Sequence, residues 1–157
     1  MSKPSPRRWT RTAGIFVEVV DGESDPIMAM VIVSCLRAVV RKENKKLRHI
    51  CVVLTDDEHL HQLNRQYVGY DEPTDVLAFD LSDEDGVVEG DIYISMVRAA
   101  VQAAQRGEST NWEILRLAVH GMLHLCGWDH KDDDSLARMM EYGEKFVSQM
   151  REGWDGK

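Results

Sequence analysis

The stretch His120-Gly121-Met122-Leu123-His124-Leu125-Cys126-Gly127-Trp128-Asp129-His130 holds three of the chain's six histidines. On an α-helix, residues four apart are separated by about 400° of rotation and about 6 Å of rise. His120 and His124 therefore leave one helical face with imidazoles able to converge. Gly127 permits a left-handed or otherwise sharp reversal that a side chain would oppose. The chain can then double back and bring in His130 as a third nitrogen. Three neutral imidazoles, at about 2.0–2.1 Å each, suit zinc and leave a fourth position open for water. An open position points to catalysis rather than scaffolding. The expected ligands are His120, His124 and His130, and the expected cofactor is one Zn2+ per chain, with other divalent transition metals compatible with the same donors. Any one of these histidines alone would read as a core or surface residue; the joint spacing carries the metal reading.

Working outward, Ser109 or Thr110 caps a helix that runs to about Leu125, where Gly127 ends it. Upstream, Ala99 to Arg106 favours helix and Gly107 breaks it. Val76 to Phe79 and Ile92 to Ile94 read as short strands able to pair as a hairpin across Ser82 to Gly86. Ile50 to Leu54 is a continuous apolar run of strand length, which implies cover on both faces. Thr55 with Glu58 makes a capping box for a helix carrying Leu60, Leu63, Asn64 and Tyr67 on one face. A turn-rich break follows at Gly69 to Pro73. Nearer the start, Ile15 to Val20 reads as a strand, and Asp25 with Pro26 opens a helix to about Lys42, where the basic cluster Arg41 to Lys46 suits a helix C-terminus. A last amphipathic helix is expected over Asp134 to Met150, with Leu136, Met139, Met140 and Phe146 on its buried side. His49 reads as a loop residue. His59 and His61 point about 200° apart on a helix, cannot share an ion, and read as surface residues.

At 157 residues the chain is read as a single domain over 1–157, large enough for an apolar core without staples. Its formal charge of −8, from 27 acids and 19 bases, argues against broad binding to nucleic acid through overall charge. A polyanion must be met by a local patch, for which Arg65, Arg98, Arg116 and Lys131 are candidates. Cys35, Cys51 and Cys126 show no CxxC spacing and fit buried thiols in a reducing cytosol, so the expected location is cytoplasmic. The longest apolar stretch is far short of the ~20 residues that span a bilayer, so no membrane segment is expected. The N-terminus carries Lys3, Arg7, Arg8 and Arg11 without an apolar stretch; residues 1–13 are expected to form a flexible basic arm rather than a secretory signal.

The histidine spacing is similar to that of the metzincin peptidases, in which Glu follows the first histidine and serves as base. Here that position is Gly121, so the proteolytic reading loses its main catalytic group. Asp129 is the only carboxylate inside the motif. It is the candidate catalytic residue, able to orient a ligand imidazole, cap the turn or take a proton from metal-bound water.

His120 to His130 also matches an HGxLHLxGYDH signature, with Met122, Cys126 and Trp128 at its variable or conservatively replaced places. With Leu63-Asn64-x-x-Tyr67, Asp71-x-Pro73-Thr74-Asp75-Val76-Leu77-Ala78-Phe79, Gly90-Asp91-Ile92-Tyr93-Ile94-Ser95 and Met140-Glu141, the chain resembles the YbeY endoribonucleases, rRNA maturation factors, over about residues 50–147. The resemblance implies an α+β fold, with one small mixed β-sheet flanked by helices and a metzincin-like three-histidine zinc site on a helix and the turn after it. It further implies single-strand-specific RNA cleavage in rRNA processing and late ribosome maturation or quality control, with single-stranded rRNA and the small ribosomal subunit as partners. Members usually carry Arg after the matched tyrosine, where this chain has Val68, and Ser where it has Ala78. Arg65, one helical turn back, is the candidate to meet phosphate in its place; Asn64 and Asp75 complete the candidate substrate-binding set.

The expected chemistry is attack on phosphorus by a metal-activated hydroxide, or by the RNA 2′-hydroxyl with the metal stabilising charge. Because ligand imidazoles must be neutral, zinc affinity is expected to fall below about pH 6.5. Two other classes fit the same residues: a noncatalytic zinc-stabilised ribosome-assembly factor, and a metal-dependent hydrolase with a non-RNA substrate.

Overall fold

Ile50, Val52 and Leu54 alternate with Cys51 and Val53 along one strand, and both sets are buried. Successive side chains of a strand point to opposite faces, so this strand must be covered on both sides. The computed structural model, which describes residues 13–20, 22–23, 25–68 and 74–155, places it at the centre of a sheet. Strands β1 (Gly14–Val19), β2 (Lys46–Thr55), β3 (Val76–Asp80) and β4 (Val87–Ser95) lie in the order β1-β2-β4-β3. β2 runs parallel to β1 and β4, and β3 is an antiparallel edge strand forming the expected hairpin with β4. The fold is therefore α+β with one mixed sheet, as the resemblance implies.

Helix α1 (Pro26–Lys42) begins as expected, with the Asp25 carboxylate accepting from the Ile27 and Met28 amides. Helix α2 (Asp57–Leu63) departs from expectation at its start: Asp56 is the N-cap, accepting from the His59 amide at 2.7 Å. Thr55 is the last residue of β2, so its hydroxyl is not at the capping position and meets His59 Nδ1 at 2.9 Å instead. One π-helical turn, Asn64–Val68, continues α2. Helices α3 (Met96–Arg106), α4 (Thr110–Leu125) and α5 (Asp133–Asp155) follow.

One face of the sheet, with Ile50, Val52, Leu54, Ile92 and Ile94, joins the large core built with α1, α4 and α5; the other holds a smaller cluster of Cys51, Val53, Phe79 and Tyr93 under Leu60 and Leu63 of α2. Met139 is wholly buried whereas Met140 is 45% exposed, so Met140 does not share the buried side. Neighbours on a helix point about 100° apart, and the buried stripe takes only one of them. His49 lies within β2, not in a loop, and is buried with its ring stacked 5.0 Å from Phe16. His59 is half-buried, held by Thr55 and edge-on to Tyr93. The basic arm expected at 1–13 lies outside the described residues except for Ala13, as does the break at Gly69 to Pro73. Among the described residues no helix is long and apolar enough to cross a membrane.

The contact that sets the height of α4 over the sheet is at Gly121. A Cβ there would lie 2.7 Å from Ile92 Cγ2, on a stiff β-branched side chain that is wholly buried. Gly121→Ala is expected to push α4 off β4 and cost about 1–3 kcal/mol, read as a lower urea midpoint. Gly153→Ala, on α5 with nothing within 4 Å of its added Cβ, is expected to be neutral or to stabilise by up to about 1 kcal/mol. Equal midpoints for the two variants would show that the α4–β4 contact is not tight.

Candidate metal centre

The last two turns of α4 present His120 and His124, both half-buried. The helix then closes with two backbone bonds: the Gly127 amide donates to His124 O at 3.0 Å, and the Trp128 amide donates to Leu123 O at 3.0 Å. This pair of bonds is a Schellman closure, and it needs a residue in the left-handed region. Gly127 supplies it with φ +104°. The reversed chain is pinned again three residues on, where the Asp129 carboxylate accepts from the His130 amide at 2.8 Å and Ser135 Oγ accepts from the Lys131 amide at 3.0 Å. Held between the two points, His130 joins the others. One ring nitrogen from each of His120, His124 and His130 lies within 4.8 Å of the other two.

His124 Nδ1 is 3.1 Å from Trp128 O, and His124 Nε2 is 3.2 Å from His120 Nε2. A carbonyl only accepts, so neutral His124 donates from Nδ1 and turns its Nε2 lone pair towards His120. Two nitrogens each about 2.0–2.1 Å from one tetrahedral ion lie about 3.3–3.4 Å apart, which the observed spacing fits. Protonation is arranged to match. Burial, then the repulsion that a second protonated ring at His124 would bring, lowers the His120 pKa to about 4, against an opposing pull from Asp75. Burial, then His130, lowers that of His124. Neutral imidazoles are what ligation requires, so the donor set fits a divalent transition ion.

The histidines open into a cleft of about 850 Å³ whose walls include Asp75, Gln102, Arg106, Glu113 and Glu144. Asp75 is brought into this cleft with the histidines, its carboxylate accepting from Gln102 Nε2 at 3.0 Å. Asn64 and Arg65 are not among the cleft's lining residues: Asn64 is buried at the end of α2, and Arg65 is exposed on the π-helical turn. Asp129 is exposed and bonded to the turn it belongs to. Of the four cations expected to form a local basic groove, two are neutralised by carboxylates. Arg98 pairs with Asp57 at 2.7 Å, and Arg116, 11% exposed, is held by Glu113 and Glu144, both at 2.7 Å, with Glu108 at 3.4 Å. The Arg116 hydrogen bond holds the Glu144 carboxyl below its usual range.

Gln102, Glu113 and Glu144 also line the cleft, beyond the residues that the motif marks. The Glu113–Arg116 spacing on α4 was a readable signal; Glu144 arrives from α5 and carried none. The glycine at 121 also has its reason here, since the Ile92 contact leaves no room at that position for a metzincin-type glutamate.

A family model described as Endoribonuclease YbeY matches residues 21–151. Among relatives, the Endoribonuclease YbeY of Brevibacillus brevis is 35% identical over 85% of this chain and 96% of its own. That of Synechococcus sp. (strain JA-3-3Ab) is 41% identical over 66% of this chain and 69% of its own. The solution structure of TM1509 from Thermotoga maritima superposes with a TM-score of 0.63 at 31% identity, covering 90% of this chain and 92% of that one. With its histidine motif folded into a site and its sequence matched over most of its length, the chain belongs to the Endoribonuclease YbeY family.

Proposed function

We propose that this chain is a zinc-dependent endoribonuclease that cuts single-stranded RNA, acting in the cytoplasm on rRNA of the small ribosomal subunit during late maturation or quality control. The observation that carries the reading is the convergence of three ring nitrogens within 4.8 Å beside an open cleft, in a chain whose relatives are named endoribonucleases. Zinc is favoured because three imidazoles without a competing carboxylate suit a four-coordinate site.

When bound, a divalent ion supplies a Lewis acid that polarises a phosphoryl oxygen and lowers the pKa of water. The chain's own residues do the rest. His120, His124 and His130 hold the ion as neutral donors. Asp75, set by Gln102, offers an acceptor to a ribose hydroxyl or base amino group entering the cleft. Asp129 keeps the last ligand's backbone in place. Arg65 meets phosphate from the exposed π-helical turn, which Asn64 supports from within.

One observation favours a second reading, a noncatalytic assembly factor with a structural ion: the cleft lining holds Asp75, Glu108, Glu113, Glu141 and Glu144 against only Arg106 and Arg116, an acidic balance that suits a polyanion poorly. Metal analysis coupled to RNA cleavage separates the two. The enzyme reading expects one zinc per chain and cleavage of single-stranded but not duplex RNA. His120→Ala is expected to lose the metal and at least about a hundredfold in rate, since even outer-shell changes cost 10–100-fold. Bound zinc with intact RNA and co-sedimentation with the small subunit would support the assembly factor, and turnover of peptides or esters alone would support a different hydrolase. A 2′,3′-cyclic phosphate on the product would assign the attack to the 2′-hydroxyl.

Two of the four candidate phosphate contacts, Arg98 and Arg116, are already paired with carboxylates, which reduces their share in displacing RNA counterions. RNA affinity is expected to fall with salt along a small slope; a salt-independent affinity would count against phosphate contacts.

The pH dependence follows from His120. Its folded pKa of about 4 lies below the ordinary 6.5, so between these values the unfolded chain binds more protons than the folded one. The stability of the metal-free chain is present in full above pH 6.5 and is lost as pH falls towards 4. For a half-buried ring the loss is on the order of 2 kcal/mol. Urea unfolding at several pH values is expected to show this slope in the wild type and a reduced one in His120→Gln.

A further inference from the structure

Glu43 is the C-cap residue of α1 and lies 77 residues before His120 in the sequence. Its amide donates to Val39 O at 2.9 Å, so its backbone belongs to the helix end. Its carboxylate does not face solvent alone. Glu43 Oε1 accepts from the Trp128 indole N–H at 2.7 Å, and Oε2 accepts from the Tyr142 hydroxyl at 2.7 Å. The Trp128 and Tyr142 rings stack at 4.8 Å with 20° between their planes. One carboxylate thus bolts together the end of α1, the turn after α4 and the face of α5.

The bolt sits on the metal-site turn. Trp128 follows Gly127, and its carbonyl is the acceptor for His124 Nδ1 at 3.1 Å. That contact decides which His124 nitrogen carries the proton and therefore which one is offered to an ion. Trp128 is also two residues before His130, so the plane of its peptide directs the approach of the third ligand. Both hydrogen bonds to Glu43 use a charged acceptor and are of the stronger class. The phenol remains a donor, since burial and then the Glu43 bond push the Tyr142 pKa up to about 12.

We propose that Glu43 is a positioning residue for the three-histidine site, holding the Trp128 indole and the Tyr142 phenol so that the Trp128 carbonyl orients His124 and the turn delivers His130. The inference rests on the metal reading given above. It assigns a role to a residue outside the motif, acting through hydrogen bonds rather than through contact with the ion.

The test is Zn2+ affinity, by chelator competition, for the full chain and for Glu43→Gln, Glu43→Ala, Trp128→Phe and Tyr142→Phe. Co2+ absorption spectra of the same proteins report coordination independently of any activity. Glu43→Ala and Trp128→Phe are expected to weaken Zn2+ binding by about 10–100-fold and to alter the Co2+ spectrum. Glu43→Gln, which keeps a carbonyl for one of the two donors, is expected to lose less. A merely structural role would lower the urea midpoint of the metal-free chain and leave the affinity and spectrum of the folded protein alone; that result overturns the proposal. Should Glu43→Ala fail to fold, Trp128→Phe and Glu43→Gln give the same readout with smaller changes. Failure of the wild type to bind Zn2+ or Co2+ would overturn the three-histidine reading itself, and the inference with it. Unaltered binding in the variants beside a metal-binding wild type would overturn the role of Glu43 alone.

Discussion

The Schellman closure at Gly127 is the constraint on which the site depends. A helix alone can place His120 and His124 on one face, but it carries every later residue away along its axis. The two backbone bonds from Gly127 and Trp128 to His124 and Leu123 stop that progress and return the chain, satisfying carbonyls that would otherwise be orphaned at a helix end. With the Asp129 carboxylate accepting from the His130 amide and α5 beginning soon after, His130 is held beside the other two histidines by the backbone itself. The convergence of the three rings is therefore largely set by bonds that the backbone would make for its own stability.

The rest of the fold fixes where that helix end sits. Gly121 lets α4 lie directly on Ile92 of β4, and α1 and α5 pack into the same core. The closeness has a chemical consequence, because the burial that α4 gains is also what holds His120 and His124 neutral. A desolvated imidazole is a poor proton acceptor and remains a ready metal donor. Packing and ligand chemistry are in this sense one arrangement, and the absent glutamate at 121 is its corollary: the site gives up a base at that position for contact with the sheet.

Much of this was legible in the sequence for reasons that are local. The helical period of His120 and His124, the breaker at Gly127, the Asp25-Pro26 start of α1 and the doubly covered run at Ile50 to Leu54 all depend on nearest neighbours along the chain. What was not legible depends on partners far away. His49 read as a loop residue because Lys46, Arg48 and His49 interrupt the apolar pattern, yet β2 extends through them by pairing with β1 and β4. The cap of α2 falls one residue beyond the Thr55 that the capping-box pattern points to, since Thr55 and Asp56 are both good caps and only the strand pairing of Thr55 with Ser95 decides between them. Helical periodicity puts Met140 beside Met139 but does not say how wide the buried stripe is, and only Met139 falls within it. Glu43, Gln102 and Glu144 reach the site from separate elements, and no spacing could announce them.

The electrostatics of the cleft follow from the same separation. An acidic chain that is to hold a polyanion needs positive charge at the point of contact, yet Arg98 and Arg116 are already paired with Asp57, Glu113 and Glu144. Three imidazole ligands bring no charge of their own. In the proposed reading, the full charge of a divalent ion is left uncompensated by its protein donors, and at about 4 Å from a phosphate it is worth several kcal/mol in a partly screened cleft. The carboxylates Glu108, Glu113 and Glu144 of the cleft wall are themselves paired with Arg116, so the wall offers little unpaired positive charge to a phosphate. Substrate attraction and catalysis would accordingly be concentrated on one point, the place where the turn after α4 returns His130 to the helix that carries the other two ligands.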